Sequence, residues 1–197
     1  NYFVTKKFPD RVEAGTPNIL GAITLGASIH VLETIGMGII LKEDLSIIQY
    51  AMDELEKIDE VYIYGDTNTK LCPRAGTIAF NIINMDHGLV ASILNDYFNI
   101  AVRNECFCAH PYVEQMLHVT HSKELDECES KDNHLTWKME PWMGMVRVSF
   151  GIYNSIKDVD KLIDALHTII KKQNTFRNNY KVDINGDYKH KSFHFSS

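Results

Sequence analysis

An apolar stripe near the C-terminal end of the chain is the feature that most constrains the fold. Its members recur every three or four residues between Ser155 and Lys172, and they are Ile156, Val159, Leu162, Ile163, Leu166, Ile169 and Ile170. This period is that of one face of an α-helix. Ser155 and Asp158 stand at the spacing of a capping box, which predicts the start of the helix. A helix with such a stripe needs another layer to cover it, so the chain must form a packed core.

Shorter patterns supply the rest of that core. Helical periods cover Asn18–Ile35, Leu41–Ile58, Asp86–Asn95 and Tyr112–Leu117, and strand-like runs cover Val61–Tyr64, Gly76–Ile83, Ile100–Arg103 and Met145–Phe150. Short strands interleaved with helices predict an α+β fold, with helices packed on one face of a mainly antiparallel sheet. Residues 118–143 are polar and lack a period, so they are predicted to be a long loop or insertion.

The first predicted helix has an unusual composition. Thr16 stands at the N-cap position and Pro17 at the first helical position. The helix is apolar on most faces and also carries small residues, which predicts burial against a close neighbour. Polar residues interrupt it, so no membrane span is predicted; they are Thr24, Ser28, His30 and Glu33.

Charge and cysteine content narrow the class of protein. The net charge of -6 is spread along 197 residues, which argues against a nucleic-acid partner. Hydrophobic residues make up 45% of the chain, enough for a real core. Four cysteines are few for a disulfide-stapled secreted domain, and no secretory signal is visible. A cytoplasmic location is predicted.

The segment from Glu13 to Asn18 has the chemistry of a phosphate site. Gly15 lets a ligand approach the backbone, and Thr16 offers a hydroxyl before a helix whose first N–H groups are free. The alternative is an ordinary N-cap preceded by a glycine turn, and the local residues favour it.

A second segment, residues 103–111, holds two cysteines two positions apart. Cys106 and Cys108 follow a predicted strand, with Arg103 and His110 nearby, and a cation lowers the pKa of a thiol. Two thiols form half a zinc site, but no second pair completes it. The alternative is two buried cysteines that act as small apolar fillers. The residues alone do not decide between these interpretations.

A third segment places Arg147 inside an apolar strand. A buried arginine needs a charged partner, and its planar fork suits a bidentate carboxylate ligand. An internal salt bridge is the equal alternative. The insertion holds residue types that bind zinc, at irregular spacing, and no metal site is predicted there; they are His118, His121, Cys128 and His134.

In this order and separation, the three segments resemble the class V aminotransferase family of pyridoxal-phosphate enzymes, which includes the cysteine desulfurases. Residues 11–18 look like the family signature R-[FV]-E-x-G-T-P-N. Residues 100–111 look like its loop G-I-A-V-R-x-G-x-x-C-A-x-P, and residues 146–154 look like its strand and turn [VC]-R-[AV]-S-x-x-x-Y-N. The resemblance covers about residues 8–172.

The resemblance implies roles at the matched positions. Thr16, with backbone access at Gly15, would reach the phosphate of the pyridoxal 5'-phosphate bound by the partner subunit of a homodimer. Cys108 matches the nucleophilic cysteine that takes sulfur from the substrate as a persulfide. Arg147 matches the arginine that holds the α-carboxylate of an amino-acid substrate, and Arg103 lies at the mouth of the same site. A sulfur-acceptor protein is a possible further partner.

The chain also departs from the family loop. Glu105 stands where the desulfurases have glycine, and Phe107 stands where they often have histidine. The run Cys-Phe-Cys is closer to the loop of molybdenum-cofactor sulfurases, which leaves Cys106 as a rival or resolving thiol. Two alternatives stay open beside the desulfurase: a class V transaminase or lyase, and a stand-alone non-catalytic binding or sulfur-carrier domain.

The family's Schiff-base lysine gives one more expectation. It lies some tens of residues before the E-x-G-T-P-N segment, but twelve residues precede Glu13, and Lys6 and Lys7 have no matching context. We therefore expect the C-terminal part of a fold-type I enzyme, inactive by itself. Residues 1–38 would end the large cofactor domain, 39–175 would form the small C-terminal domain, and 176–197 would be a polar tail.

Overall fold

The structure, a computed structural model, describes residues 7–9, 11–13, 15–69, 74–117 and 144–193. The backbone contacts divide the chain into two compact units, Asn1–Lys42 and Glu43–Ser197.

The first unit consists mainly of helix α1, Ile19–Ile35, and the opening turns of helix α2, Met37–Leu55. Asn18 caps α1, because its side-chain oxygen accepts a hydrogen bond of 2.9 Å from the Gly21 N–H. The prediction that Thr16 is the N-cap is therefore wrong by two residues. Gly36 ends the helix at a positive φ of 95°, which glycine adopts without strain.

None of the described side chains of α1 is buried, so the close neighbour that its composition predicts is not found among the described residues of this unit. Leu20 and Ile23 are 77% and 64% exposed. One helix and the start of another cannot supply the layer that would cover it. Among the described residues no single helix is long and apolar enough to cross a membrane. Helices α1 and α2 reach the required length and apolar composition only when taken together, and this pair is bent by 78°.

The second unit is built on a three-stranded sheet. Its strands are β1 (Val61–Ile63), β2 (Thr77–Ile82) and β3 (Val146–Ser149), in the order β1-β2-β3. Both pairings are antiparallel, as Ile63 faces Phe80 and Ile78 faces Val148. The predicted α+β fold with an antiparallel sheet is confirmed.

Three long helices cover one face of this sheet. They are α2, α3 (His87–Phe98) and α5 (Ile156–Lys171). Alternate residues of β2 point into the core, and Ile78 and Phe80 are fully buried there. Each buried side chain of this size contributes about 1.5–3 kcal/mol relative to exposure. The apolar stripe on α5 predicts a layer that covers it. This sheet face and the neighbouring helices form that layer.

The predicted capping box begins α5. The Ser155 N–H donates to the Asp158 carboxylate over 2.9 Å, and this bond holds the pKa of that carboxyl below its usual range. The predicted strand over Ile100–Arg103 is wrong. Asn99 adopts a left-handed conformation, and the Ile100 N–H donates back to Leu94, so the chain is still closing α3 there. Only Arg103 reaches the sheet.

A short helix, α4 (His110–Met116), follows the cysteine segment. A second, smaller apolar cluster lies beside it, and its buried members are Tyr64, Cys106, Val113 and Met145. Ala79 packs against this cluster, and Ala79 alternates with the core-facing residues of β2. The second cluster therefore covers the opposite face of the sheet.

The residues after α5 are folded, although their sequence indicates only a polar composition. It forms α6 (Gln173–Asn179) and a hairpin of β4 (Tyr180–Val182) and β5 (Tyr188–His190). Tyr180 is buried and donates to Asp96 of α3 over 2.9 Å. The hairpin therefore extends the core past residue 175.

Candidate functional site

The two predicted segments around Cys108 and Arg147 lie side by side. The Arg103 N–H donates to the Arg147 carbonyl over 3.0 Å, and the Arg147 N–H donates to the Arg103 carbonyl over 2.7 Å. A third bond, of 3.1 Å, runs from the Met145 N–H to the Glu105 carbonyl. These three bonds fasten the cysteine loop to β3 and to the residue that precedes it.

Beyond this ladder the loop is strained. Glu105, Phe107 and Cys108 have φ values of 79°, 53° and 60°, in the left-handed region that side chains disfavour. Each such residue costs on the order of 1–3 kcal/mol and persists only where the surroundings enforce it. The Ala109 N–H closes the turn on the Cys106 carbonyl at 2.7 Å, and α4 follows at once. A strained turn between two anchored segments is typical of a functional loop.

The turn separates the two thiols. Cys106 is 1% exposed and belongs to the second cluster, whereas Cys108 is exposed. Burial, followed by the charges of Glu114 and Glu105, raises the pKa of the Cys106 thiol. The thiolate is the reactive form of cysteine, so both the burial and the raised pKa disfavour reaction at Cys106. Of these two cysteines, Cys108 is the one that meets solvent.

Arg147 is the cation beside this loop. Its Cζ lies 5.0 Å from the centroid of the Phe107 ring, a cation–π contact. Its Nε is buried and has no hydrogen-bond partner. Among the residues that the structure describes, no carboxylate pairs with it, so the internal salt bridge considered above is absent from that part of the chain. The guanidinium retains hydrogen-bonding capacity for a carboxylate ligand.

Asn81 of β2 helps to hold this site, and the sequence alone does not single it out. Its Nδ2 donates to the Gly144 carbonyl over 2.9 Å and to the Tyr64 hydroxyl over 3.1 Å. Its Oδ1 accepts from the Val146 N–H over 3.3 Å. A single amide thus fastens the start of β3 to the middle strand. Its polarity, at a strand position that faces the second cluster, is the only available signal.

His87 is a second residue that the sequence does not single out. Its Nδ1 lies 3.4 Å from the amide nitrogen of Asn104, in the cysteine loop. Burial lowers the pKa of His87, against the opposing effect of Asp86 and Glu105. A Cβ on Gly144 would lie 2.4 Å from His87 Nε2, so this glycine allows the ring to approach the backbone.

Asn154 completes the third motif. Its Oδ1 accepts a hydrogen bond of 2.8 Å from the Gly151 N–H and closes the turn between β3 and α5. Tyr153, the other matched residue of this turn, is 86% exposed. The motif therefore fixes the direction in which the chain leaves the Arg147 strand.

Gly15 and Thr16 belong to the first unit and are both exposed. A Cβ on Gly15 would meet nothing within 4 Å, so the backbone there is open to a ligand. An open glycine beside an exposed hydroxyl fits an oxyanion such as a phosphate. His118, His121, Cys128 and His134 lie outside the described residues; within those residues no group of three or more metal-ligating side chains is found.

The sequence of this chain is similar to those of known proteins. The family model described as aminotransferase class-V matches residues 1–162. A probable cysteine desulfurase from Pyrococcus abyssi is 32% identical over 163 residues, which are 83% of this chain and 34% of the relative. A probable cysteine desulfurase from Halalkalibacterium halodurans is 35% identical over 161 residues, 82% of this chain and 32% of the relative.

Solved structures agree with these relatives. The apo structure of a cysteine desulfurase from Thermococcus onnurineus has a TM-score of 0.64 and 33% identity, and covers 83% of this chain and 34% of that one. A cysteine desulfurase from Escherichia coli has a TM-score of 0.62 and 25% identity, with 83% and 33% coverage. The chain thus spans about a third of the length of the proteins it matches. By its sequence and its fold, this chain belongs to the class V aminotransferase family.

Proposed function

We propose that this chain is the substrate-closing part of a cysteine desulfurase-like enzyme, and that the full-length protein transfers sulfur from L-cysteine through a persulfide on Cys108. One observation carries the proposal. Cys108 is an exposed thiol on a strained loop that is hydrogen-bonded to the strand of an arginine without a carboxylate partner among the described residues. A nucleophile and a carboxylate receptor on adjacent backbones suit an amino-acid substrate.

Arg147 would bind the substrate α-carboxylate. The guanidinium offers parallel N–H donors that match the two carboxylate oxygens, and the pair is charge-assisted. Its Nε, buried without an acceptor, gains a partner when a carboxylate arrives. Arg103, exposed and backbone-paired with Arg147, would add positive charge at the entrance. With its carboxylate bound to Arg147, the substrate would place its sulfur near the loop that carries Cys108.

Cys108 would then act as the nucleophile. Its thiolate attacks the substrate sulfur, and an S–S bond forms as the C–S bond breaks. The electron pair of the broken bond stays with the substrate carbon, which takes up a proton and leaves as alanine. The sulfur remains on Cys108 as a persulfide, ready for a thiol or a sulfur-acceptor protein. Cys106 is buried with a raised pKa, so it is a poor rival for the first attack.

Pyridoxal 5'-phosphate is the cofactor that this family uses, and the residues of this chain fit one part of it. Gly15 and Thr16 would hold the phosphate of the cofactor bound by the partner subunit of a homodimer, through the open backbone and the exposed hydroxyl. When bound, the cofactor supplies an electron sink for bond breaking beside the amino group.

In this proposal, residues 1–38 would close the large cofactor domain and residues 39–175 would form the small domain. Helix α6 and the hairpin that follows it would complete the core of the small domain. An exposed reactive thiol is preserved in a reducing compartment, which favours the cytoplasm.

Assay of the full-length protein with L-cysteine and a thiol reductant tests the proposal. We expect equal amounts of alanine and sulfide, with both lost in Cys108→Ala and largely kept in Cys106→Ala. Sulfide formation that survives in Cys108→Ala would contradict it. Amino-group transfer to a keto acid without sulfide would point to the transaminase alternative instead.

A further inference from the structure

Phe107 occupies a position that links the two functional side chains. It stands between the two cysteines in sequence, with a left-handed φ of 53°, and it is half-buried. One face of its ring carries the guanidinium of Arg147 at 5.0 Å. Its peptide bond leads directly to Cys108. The ring and the nucleophile therefore share one short piece of constrained backbone.

Arg147 needs a support of this kind. The Arg147 Nε has no hydrogen-bond partner, and Arg147 forms no ion pair with another described residue. A long arginine side chain that no polar group holds would sample several rotamers and lose entropy on binding a carboxylate. The contact of the guanidinium with the Phe107 ring restricts its position, and a guanidinium over a ring face can still donate hydrogen bonds from its N–H groups.

The ring is itself anchored. Phe107 packs against the second cluster, whose buried members are Tyr64, Cys106, Val113 and Met145. The second cluster thus holds the Phe107 ring, and the Arg147 guanidinium lies over that ring. This arrangement also accounts for the buried Cys106, which fills space next to the ring and not at the reaction centre.

We propose that Phe107 is a positioning residue: it holds the Arg147 guanidinium in the orientation that receives the substrate carboxylate, and ties that orientation to the loop that carries Cys108. The inference rests on the proposed function for the identity of the ligand, an amino acid with a free α-carboxylate. Phe107 touches neither the substrate nor the sulfur in this account. It acts through Arg147.

The test uses full-length protein loaded with pyridoxal 5'-phosphate. Binding of two amines is measured from the change in cofactor absorbance: L-alanine, which has a carboxylate, and ethylamine, which is the same amine without it. Phe107→Leu and Phe107→Met remove the aromatic face, Met being the longer, more flexible filler, and Phe107→Tyr keeps the face. We expect the aliphatic variants to bind L-alanine about tenfold more weakly with ethylamine binding unchanged, and Phe107→Tyr to keep the wild-type affinity for L-alanine.

Phe98→Leu is the matched control, because Phe98 is a half-buried phenylalanine that packs on the main core instead. It should leave the ratio of the two affinities unchanged. Equal weakening of L-alanine and ethylamine binding in the Phe107 variants would show a general structural role and overturn the proposal, as would wild-type affinity for both. Absorbance reports amine binding whether or not sulfide is made, so failure of the desulfurase assignment is a separate result.

Discussion

Arg103 and Arg147 exchange two backbone hydrogen bonds, of 3.0 and 2.7 Å, across an isolated antiparallel bridge. The bridge brings two residues 44 positions apart into register and joins the cysteine loop to the strand of the proposed carboxylate receptor. Both arginines thus take their positions from backbone bonds that do not depend on side-chain chemistry. Variation of either side chain should therefore leave the ladder intact, and changes in activity can be assigned to the guanidinium groups.

The different environments of the two cysteines predict different reactivity. In the native protein, iodoacetamide should modify Cys108 on the order of a hundred times faster than Cys106, because burial covers Cys106 and raises its pKa. Mapping of the labelled peptides by mass spectrometry measures both rates. In denaturant the two rates should converge. Comparable native rates would show that Cys106 is accessible in solution.

The left-handed backbone at Glu105 predicts that Glu105→Gly stabilises the protein. Glycine adopts a φ of 79° without a Cβ penalty, so the expected gain in the free energy of unfolding is about 1 kcal/mol. Urea denaturation measures it. Glu105→Ala is the matched control, since it removes the same charge and keeps the strain. If the glycine and alanine variants have equal stability, the backbone at residue 105 is not strained.

The close approach of His87 to Gly144 predicts a costly substitution. In Gly144→Ala the new Cβ would lie 2.4 Å from His87 Nε2, and displacement of a packed ring costs about 1–3 kcal/mol. The double variant Gly144→Ala with His87→Ala makes room for the methyl group. A double-mutant cycle by urea denaturation should therefore show a favourable coupling. Additive losses would mean that the two residues are not in contact.

Burial of His87 predicts a loss of stability in mild acid. Its folded-state pKa lies below the ordinary value of about 6.5, so the unfolded chain binds the proton more readily. Stability from this residue is thus full above pH 6.5 and declines as the pH falls below it. Free energies of unfolding at pH 7.5 and 5.5 should differ less in His87→Gln than in wild type. If the two free energies differ equally in both proteins, groups other than His87 cause the loss of stability in acid.

The sequence predicts the parts of this fold that follow from local periodicity. The stripe on α5 with its capping box, the alternation in β2 and the start of α3 near Asp86 all agree with the structure. In each case the pattern reports which side chains face the core. The misses are local as well: Asn18 takes the cap from Thr16, and α3 runs on to Phe98, past its predicted end. Composition does not rank two competing caps that lie two residues apart.

The site was less accessible to prediction, for a physical reason. Cys106 and Cys108 differ by two positions and carry the same chemistry, and only the turn at Phe107 separates a buried thiol from an exposed one. Asn81 contributes through contacts with residues more than sixty positions away in sequence. Such contacts depend on the sheet register, so they emerge only when the strands are placed.

Peptide mass spectrometry after a single exposure to L-cysteine shows whether Cys108 carries the persulfide. Full-length protein loaded with pyridoxal 5'-phosphate is incubated with L-cysteine, alkylated at once and digested. We expect one added sulfur atom on the peptide with Cys108, located at Cys108 by fragmentation, and an equal amount of alanine. Added sulfur at Cys106 with Cys108 unmodified, or alanine formed without a persulfide on Cys108, would contradict the proposed role of Cys108.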